Sequence, residues 1–369
     1  VSLARAHALL EEGIAQGLHL GGQLYAWRHG EVVADLAVGE SRPGRALQPD
    51  DLMLWLSSTK PVGAVAIAQL WERERLGLDD RVAAHLPEFA GGGKGEITIR
   101  HLLTHTGGFR MLDVGWPREG WEAILARVCA ARREPRWTPG EKAGYHTASS
   151  WFVLGELVRR LDGRPFERYA REEIFLPLGM GDSWVGMPEP SYEGYGERLV
   201  PMHDTRSRPA AAFDWHSRRH VTRCSPAGGG WGPMRDLGRF YAALAGGGAL
   251  GGARILRPQT VEALLARHRT GLLDHTFGKV MDWGLGFIPN PAVYGDPTVP
   301  YAYGPHASRR ACGHSGDRSS TAFADPAYGL AVALAVNGLS AEEFHQQRFR
   351  RLTAAVYEDL GLGSGAEER

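Results

Sequence analysis

Apolar residues recur at helical spacing from the start of the chain. Leu3, Ala6, Leu10 and Ile14 form one stripe, so residues 1–17 predict an amphipathic helix. Two strand-like runs follow at 23–28 and 32–38, with His29-Gly30 between them as a hairpin turn. Residues 54–56 lead into a predicted helix over 57–74. Pro61 falls in its first turn, where a missing N–H does no harm. From 78 to 234 helical patterns dominate, at 99–104, 121–131, 149–161 and 165–174. Periodicity weakens over 189–230, which reads as a long irregular excursion of the kind that often borders active sites. Helices return at 234–244 and 258–269. The pattern then changes to strands at 283–288, 310–313, 319–323 and 330–336, a helix at 341–360 and a frayed tail at 361–369.

Strands at both ends with helices between them predict an α+β fold. Its antiparallel sheet is formed from both chain ends and flanked by helices, and a mostly helical domain is inserted. A chain of 369 residues exceeds one simple core. The expected division is a discontinuous sheet domain, 1–56 with 236–369, and a helical domain, 57–235, with the active site between them.

Composition narrows the function classes. The apolar and charged fractions, 43% and 23%, are those of a globular protein. Basic and acidic residues balance at 42 each and no basic run stands out, so neither nucleic acid nor an anionic membrane is an expected partner. No stretch approaches the ~20 apolar residues that cross a bilayer. No signal peptide is visible, which favours the cytoplasm, although a mature secreted form would look the same. Cys129, Cys224 and Cys312 are odd in number and lack paired spacing, against a disulfide framework or a zinc ribbon. Lysine is scarce: Lys60, Lys94, Lys142 and Lys279 stand in an arginine-rich background. A desolvated lysine can act as a base near neutral pH and an arginine cannot, so a retained lysine draws attention, Lys60 most of all.

Three elements carry candidate chemistry. In Ser57-Ser58-Thr59-Lys60 the first and last residues share one helix face. A serine at a helix start has free N–H groups and the positive dipole end beside it, and a nearby amine of depressed pKa can take its proton. A capping serine beside a surface lysine would give the same four letters. Tyr145, in Gly144-Tyr145-His146-Thr147, lies on a predicted loop before a helix, where it can relay a proton or simply pack. Gly313-His314-Ser315-Gly316-Asp317 surrounds a strand segment with glycines that admit a substrate close to the backbone, and His314 offers a donor or a cation there. His101 and His105 are spaced i, i+4 but lack an apparent third ligand, so no metal or cofactor is expected. Cys312 reads as a strand-core residue, and Trp55, Trp116, Trp231 and Trp283 as core or an apolar acyl pocket.

In this order and spacing the three elements resemble those of the serine β-lactamase-like superfamily. The closest branch holds class C β-lactamases, D-alanyl-D-alanine peptidases, related carboxylesterases and lovastatin-type acyltransferases. Several further segments are similar to that branch: Ile97-Thr98-Ile99-Arg100-His101-Leu102-Leu103-Thr104-His105-Thr106-Gly107-Gly108-Phe109, Ile174-Phe175-Leu176-Pro177-Leu178-Gly179-Met180, Ala227-Gly228-Gly229-Gly230-Trp231 and Trp283-Gly284-Leu285-Gly286-Phe287. The resemblance implies a β-lactamase/transpeptidase-like fold and an acyl-Ser57 intermediate. It implies proton transfer by Lys60 and Tyr145, and an oxyanion hole from the Ser57 and Asp317 N–H groups. Thr147, His314, Ser315 and Gly316 would line the substrate. Thr147 stands where the lactamases and peptidases carry an asparagine that binds the substrate amide, and His-Ser-Gly replaces Lys-Thr-Gly. Both point away from β-lactam and D-Ala-D-Ala substrates. The expected activity is esterase-type hydrolysis of a small-molecule ester or amide donor. The alternative is an acyltransferase of secondary metabolism with an amine or alcohol acceptor. A β-lactamase or peptidase ranks lower, and a catalytically silent ligand-binding protein lowest.

Overall fold

The computed structural model describes residues 3–296 and 299–362. Of the predicted tail, everything from 363 onward lies outside the described residues. The centre is a seven-stranded antiparallel sheet of β1 (Gly21–Arg28), β2 (Glu31–Arg42), β3 (Arg45–Ala46), β4 (Ile288–Pro289), β5 (Cys312–Gly316), β6 (Ser320–Asp325) and β7 (Leu330–Val336). The spatial order is β4-β5-β6-β7-β1-β2-β3. Both chain ends therefore supply strands, and they meet where Leu24 of β1 faces Leu334 of β7.

The sequence of β7 shows how the layers form. Leu330, Val332, Leu334 and Val336 point to one face, and Ala331, Ala333 and Ala335 to the other, as the two-residue period of a strand requires. The large side chains pack under α1 (Ala4–Ala15) and the C-terminal helix α5 (Glu342–Asp359). The alanine face lets α4 (Met234–Ala245) approach closely, and Gly238 is required there because a Cβ would collide with the Tyr25 ring. The predicted hairpin turn forms, with His29 and Gly30 both at positive φ, as a tight type I′ connection needs.

The inserted part is built around α2 (Lys60–Glu72), buried from Lys60 through Leu70. A helix enclosed on all sides has no polar face to keep, which explains its run of alanines and valines. It crosses α3 (Ser149–Asp162) where Gly63 meets the Trp151 ring, and one apolar core runs from these helices through α4 to the sheet. A small three-stranded sheet of Met53–Leu54, Trp184–Val185 and Gly230–Gly232 ties the segment before α2 to the end of the irregular excursion.

Three expectations are corrected. The predicted helix over 57–74 opens as a 3-10 turn, Leu56–Thr59, and becomes α-helical only at Lys60. The predicted helix over 258–269 ends at Leu265. The predicted strand over 283–288 is reduced to Ile288–Pro289. Gly284 donates to the Phe287 carbonyl and Gly286 takes φ +81°, so the chain turns instead of extending. A Cβ on Gly286 would strike Ala64 of α2.

Candidate active site

Ser57 projects from a strained turn. Leu56, just before it, has φ +49°, a conformation costing a non-glycine residue about 1–3 kcal/mol. Contacts on every side hold it there. Trp55 N–H donates to the Gly230 carbonyl at 2.8 Å, and Ser320 Oγ donates to the Trp55 carbonyl at 2.7 Å. Thr59 Oγ1 donates to the Leu56 carbonyl at 2.7 Å and accepts from Gly230 N–H at 2.9 Å. The result is a half-buried Ser57 followed by a buried Ser58, whose Oγ is tied to Ser320 Oγ at 3.0 Å.

Lys60 lies one turn on, fully buried, with Nζ 2.8 Å from Ser57 Oγ and donating to the Ala227 carbonyl at 2.7 Å. Its amine faces the rings of Tyr145 at 5.1 Å and Trp151 at 6.0 Å. Burial alone pushes it well below its ordinary range, favouring the uncharged form. Tyr145 approaches Ser57 from the other side, its hydroxyl donating to Ser57 Oγ at 2.9 Å. Burial drives this phenol well above its usual value, so it keeps its proton. Ser57, Lys60 and Tyr145, 88 residues apart at the extremes, are thus brought into one cluster.

Tyr145 is held from behind by a group that sequence reasoning missed. Asp274, fully buried, accepts from the Tyr145 N–H at 3.1 Å, from Thr276 N–H at 2.9 Å and from the equally buried Arg269 at 3.0 Å. Thr276 Oγ1 donates back to the Tyr145 carbonyl at 3.0 Å. His105, at φ +57°, accepts the His146 N–H on Nδ1 at 2.9 Å and stacks against Tyr145. Both histidines are kept neutral by burial, His146 being lowered to about 3. The i, i+4 pair is therefore spent on structure: His101 accepts a backbone N–H that caps its own short helix, and His105 braces the Tyr145 loop.

β5 supplies the third side. Its outer edge is paired with β4 only at Cys312 and Gly313, so on that edge His314, Ser315 and Gly316 pair with no strand among the described residues. The His314 carbonyl accepts from Ser58 Oγ at 3.3 Å, so this edge abuts the nucleophile turn. Asp317 is exposed in the turn after β5. Of the two roles open to His314, donor or cation, the ring takes the neutral one: it is fully buried, packs near Tyr145 and Trp283, and burial lowers its pKa to about 3. Its Nδ1–H donates to the Ser315 carbonyl at 2.8 Å. Ser315 turns to the opposite sheet face and donates to Thr321 Oγ1 at 2.9 Å. Thr147 is exposed just before α3, and its hydroxyl has no protein partner among the described residues. Cys312 is buried, and burial raises its thiol pKa far from the reactive range. Trp55, Trp231 and Trp283 are core residues, and Trp116 is half-buried.

Ala227 could not be singled out because only its backbone oxygen acts, although it opens the glycine-rich segment already noted. Asp274 and Arg269 carry no local pattern at all. Their role exists only once the 269–277 segment lies beside Ala143, with which Asp274 forms an isolated bridge.

A β-lactamase/transpeptidase-like fold bearing a serine, a buried lysine and a tyrosine in mutual contact defines an enzyme of the serine hydrolase and acyltransferase class. The chain belongs to the beta-lactamase family, whose model matches residues 6–357. It is 29% identical to esterase EstB of Burkholderia gladioli, with 90% of each chain covered. It is 25% identical to the esterase/beta-lactamase LipL of Mycobacterium tuberculosis, over 86% of this chain and 77% of that one. Among solved structures, a family VIII carboxylesterase superposes with a TM-score of 0.82 at 27% identity, covering 96% of this chain and 97% of the other. A penicillin-binding protein homologue from Caulobacter crescentus gives 0.80 at 29% identity, with the same coverage. Among the described residues no helix is long and apolar enough to cross a membrane.

Proposed function

We propose that this protein is an esterase-type hydrolase working through an acyl-Ser57 intermediate on a small-molecule ester. The carrying observation is that Ser57 Oγ sits between the buried Lys60 amine, 2.8 Å away, and the protonated Tyr145 hydroxyl, 2.9 Å away. A neutral amine has two N–H donors and one lone pair. One N–H serves the Ala227 carbonyl, and the lone pair receives the Ser57 proton. Ser57 Oγ then attacks the ester carbon. The carbonyl oxygen takes the charge and is held by the Ser57 and Asp317 N–H groups, each such donor contributing about 3 kcal/mol to the transition state. Tyr145 hands its proton to the departing alkoxide and is reprotonated from Lys60. The alcohol leaves, and water attacks the acyl-enzyme through the same groups in reverse, giving the acid and free Ser57.

In this reading the helical lobe, 57–235, brings Ser57, Lys60 and Tyr145, and the sheet lobe, 1–56 with 236–369, brings the β5 edge. The similarity to esterase EstB and to the family VIII carboxylesterase supports an ester substrate. So does the charge of the site. His314 is neutral and Arg318 is paired with Asp317, which leaves little to attract the carboxylate of a β-lactam or a peptide terminus. The test is labelling with a fluorophosphonate and burst kinetics with a p-nitrophenyl ester. The expected result is one adduct on Ser57 and a burst, both lost in Ser57→Ala. No mass shift and no burst in the wild-type protein would overturn the proposal. The alternative fate, transfer to an added amine or alcohol, is read by mass spectrometry of the products.

A further inference from the structure

Tyr145 is the proton donor of the mechanism above, and its hydroxyl must stay on Ser57 Oγ to reach the departing oxygen. What holds it there traces to one buried ion pair. Arg269 Nη2 lies 3.0 Å from Asp274 Oδ2, and both side chains are almost wholly withdrawn from solvent. Asp274 Oδ1 accepts from the N–H of Tyr145 at 3.1 Å, of Thr276 at 2.9 Å and of Phe277 at 3.2 Å. Two of these bonds close the turn that follows Asp274, as aspartate side chains commonly do. The third reaches 129 residues back along the chain, to the proton donor itself.

Arg269 extends the same hold. Its Nη1 donates to the Thr104 carbonyl at 3.1 Å, and its Nε and Nη2 donate to the Met281 carbonyl at 3.3 and 3.1 Å. Its guanidinium lies 4.9 Å from the centre of the Trp283 ring. Thr104 precedes His105, whose ring packs on Tyr145 at 4.7 Å between centroids. Phe277 packs on Tyr145 at 5.0 Å and Trp283 at 5.7 Å. Thr276 Oγ1 donates to the Tyr145 carbonyl at 3.0 Å. The backbone of Tyr145 and three rings around its phenol are thus anchored, directly or through one neighbour, to the same pair. A buried ion pair repays its desolvation only in good geometry, and packed apolar residues of similar volume often stabilise as well. Apolar residues could not tie four chain segments to one another by directed bonds.

We propose that Asp274, locked by Arg269, is the positioning residue for proton donation by Tyr145. The proposal rests on the esterase reading and names what aims its proton donor. The pair itself touches no reacting atom. Without it the phenol still packs but loses its alignment with Ser57 Oγ, and a misplacement of about 1 Å can cost ~10²-fold in rate. The loss falls on one class of ester. An alkoxide is a poor leaving group and needs the Tyr145 proton as it departs, whereas p-nitrophenolate spreads its charge over the ring and nitro group and departs without one.

The experiment compares kcat/KM for ethyl acetate and p-nitrophenyl acetate. Both give the same acyl-enzyme, so a difference belongs to the leaving group. Asp274→Asn keeps an oxygen for the three N–H groups and removes the charge facing Arg269. It should lower kcat/KM about 30-fold on ethyl acetate and less than about threefold on p-nitrophenyl acetate, the pattern of Tyr145→Phe at smaller size. Arg269→Met combined with Asp274→Asn leaves no unpaired buried charge and should show the same split, which keeps the test open if the single variant does not fold. Thr276→Val, at an exposed position, should show a weaker split in the same sense. Equal falls on both esters, in variants whose Ser57 still takes a fluorophosphonate, would reduce the pair to a structural role and overturn the proposal. So would no fall on either. A Tyr145→Phe variant that treats both esters alike, or wild-type protein that takes no fluorophosphonate, overturns the reading beneath it.

Discussion

Lys60 and Lys94 are both fully buried and neither forms an ion pair among the described residues, yet their surroundings differ in one decisive respect. Lys94 Nζ donates to three carbonyls, of Gly91 at 2.7 Å, Cys129 at 2.9 Å and Ala131. An ammonium has three donors, so all are satisfied. The residue ties the Gly91–Gly93 turn to the end of the helix Trp121–Ala130, and the Phe89 ring 5.2 Å away adds a cation–π contact. Lys60 has one carbonyl and one hydroxyl, and burial depresses it strongly, whereas Lys94 is only lowered. A buried lysine is a strut when carbonyls meet every donor, and a base when one position is left for a proton to arrive.

The largest expected effect lies at Lys60. Lys60→Arg keeps a cation but loses the base, and should cut the acylation rate about 10³-fold, within the range of general-base contributions. Pre-steady-state burst kinetics measure it, and a near-normal burst would erase the distinction between the two lysines. Lys94→Met should instead act on stability. Three orphaned carbonyls cost about 3 kcal/mol together, read from the urea midpoint, while kcat of the folded enzyme stays within about twofold. A drop in kcat matching that of Lys60→Arg would show that Lys94 is not merely structural.

pH separates them further. The acid limb of kcat/KM should report the Lys60 amine well below the usual lysine range and should persist in Lys94→Met. Stability has its own profile. His146 and His314 are each lowered from 6.5 to about 3 by burial, so below pH 6.5 the unfolded chain binds protons that the folded chain refuses. Their contribution is complete above 6.5 and is lost as the pH falls towards 3. Thermal melts from pH 7.5 to 4 should show a falling midpoint, and a flat profile would mean that these rings are not desolvated as the structure has them.

Much of this was legible in the chain, because some features are written locally. The apolar run Leu330–Val336 marked a strand, and its alternation of large residues with alanines matches the two faces that the structure shows. The Ser57–Lys60 spacing put the pair on one side of a helical turn whether that turn was 3-10 or α. Other features depend on partners far away. Positive φ at Leu56 is imposed by Gly230 and Thr59, and no neighbour of Ser57 announces it. Whether His314 is a donor or a cation stays open in the sequence because its packing against Tyr145, Trp283 and Tyr301 is a tertiary fact. Residues 283–288 had strand composition, but Gly284, against the Leu264 and Ala266 carbonyls, and Gly286, against Ala64 of α2, use the space for a turn. Lysine scarcity drew attention to Lys60 on grounds that apply equally to Lys94. Ser57 one turn away singles out Lys60 in the sequence, and the number of surrounding carbonyls separates the two in the structure.

The smallest effect sharpens the comparison most. Removing the amine altogether, as Lys60→Met, abolishes the base but also removes the expense of burying an ionisable group. The flexible methionine fills nearly the same space, and only the Ala227 carbonyl is left without its donor. Stability near pH 7 should therefore rise by about 0.5–2 kcal/mol, the usual range when a strained functional group is traded for a packed one. The sign is opposite to that of Lys94→Met, where three carbonyls are orphaned. The pH dependence should change as well. In the wild-type protein, between the depressed pKa of folded Lys60 and its usual 10.5, the unfolded chain carries a proton that the folded chain lacks, so stability climbs with pH across that window. Lys60→Met should lose that slope. Urea titrations at pH 7 and pH 9.5 measure both quantities. A destabilised variant with the slope intact would mean that Lys60 is held as a satisfied ammonium, in the manner of Lys94, and is not the base.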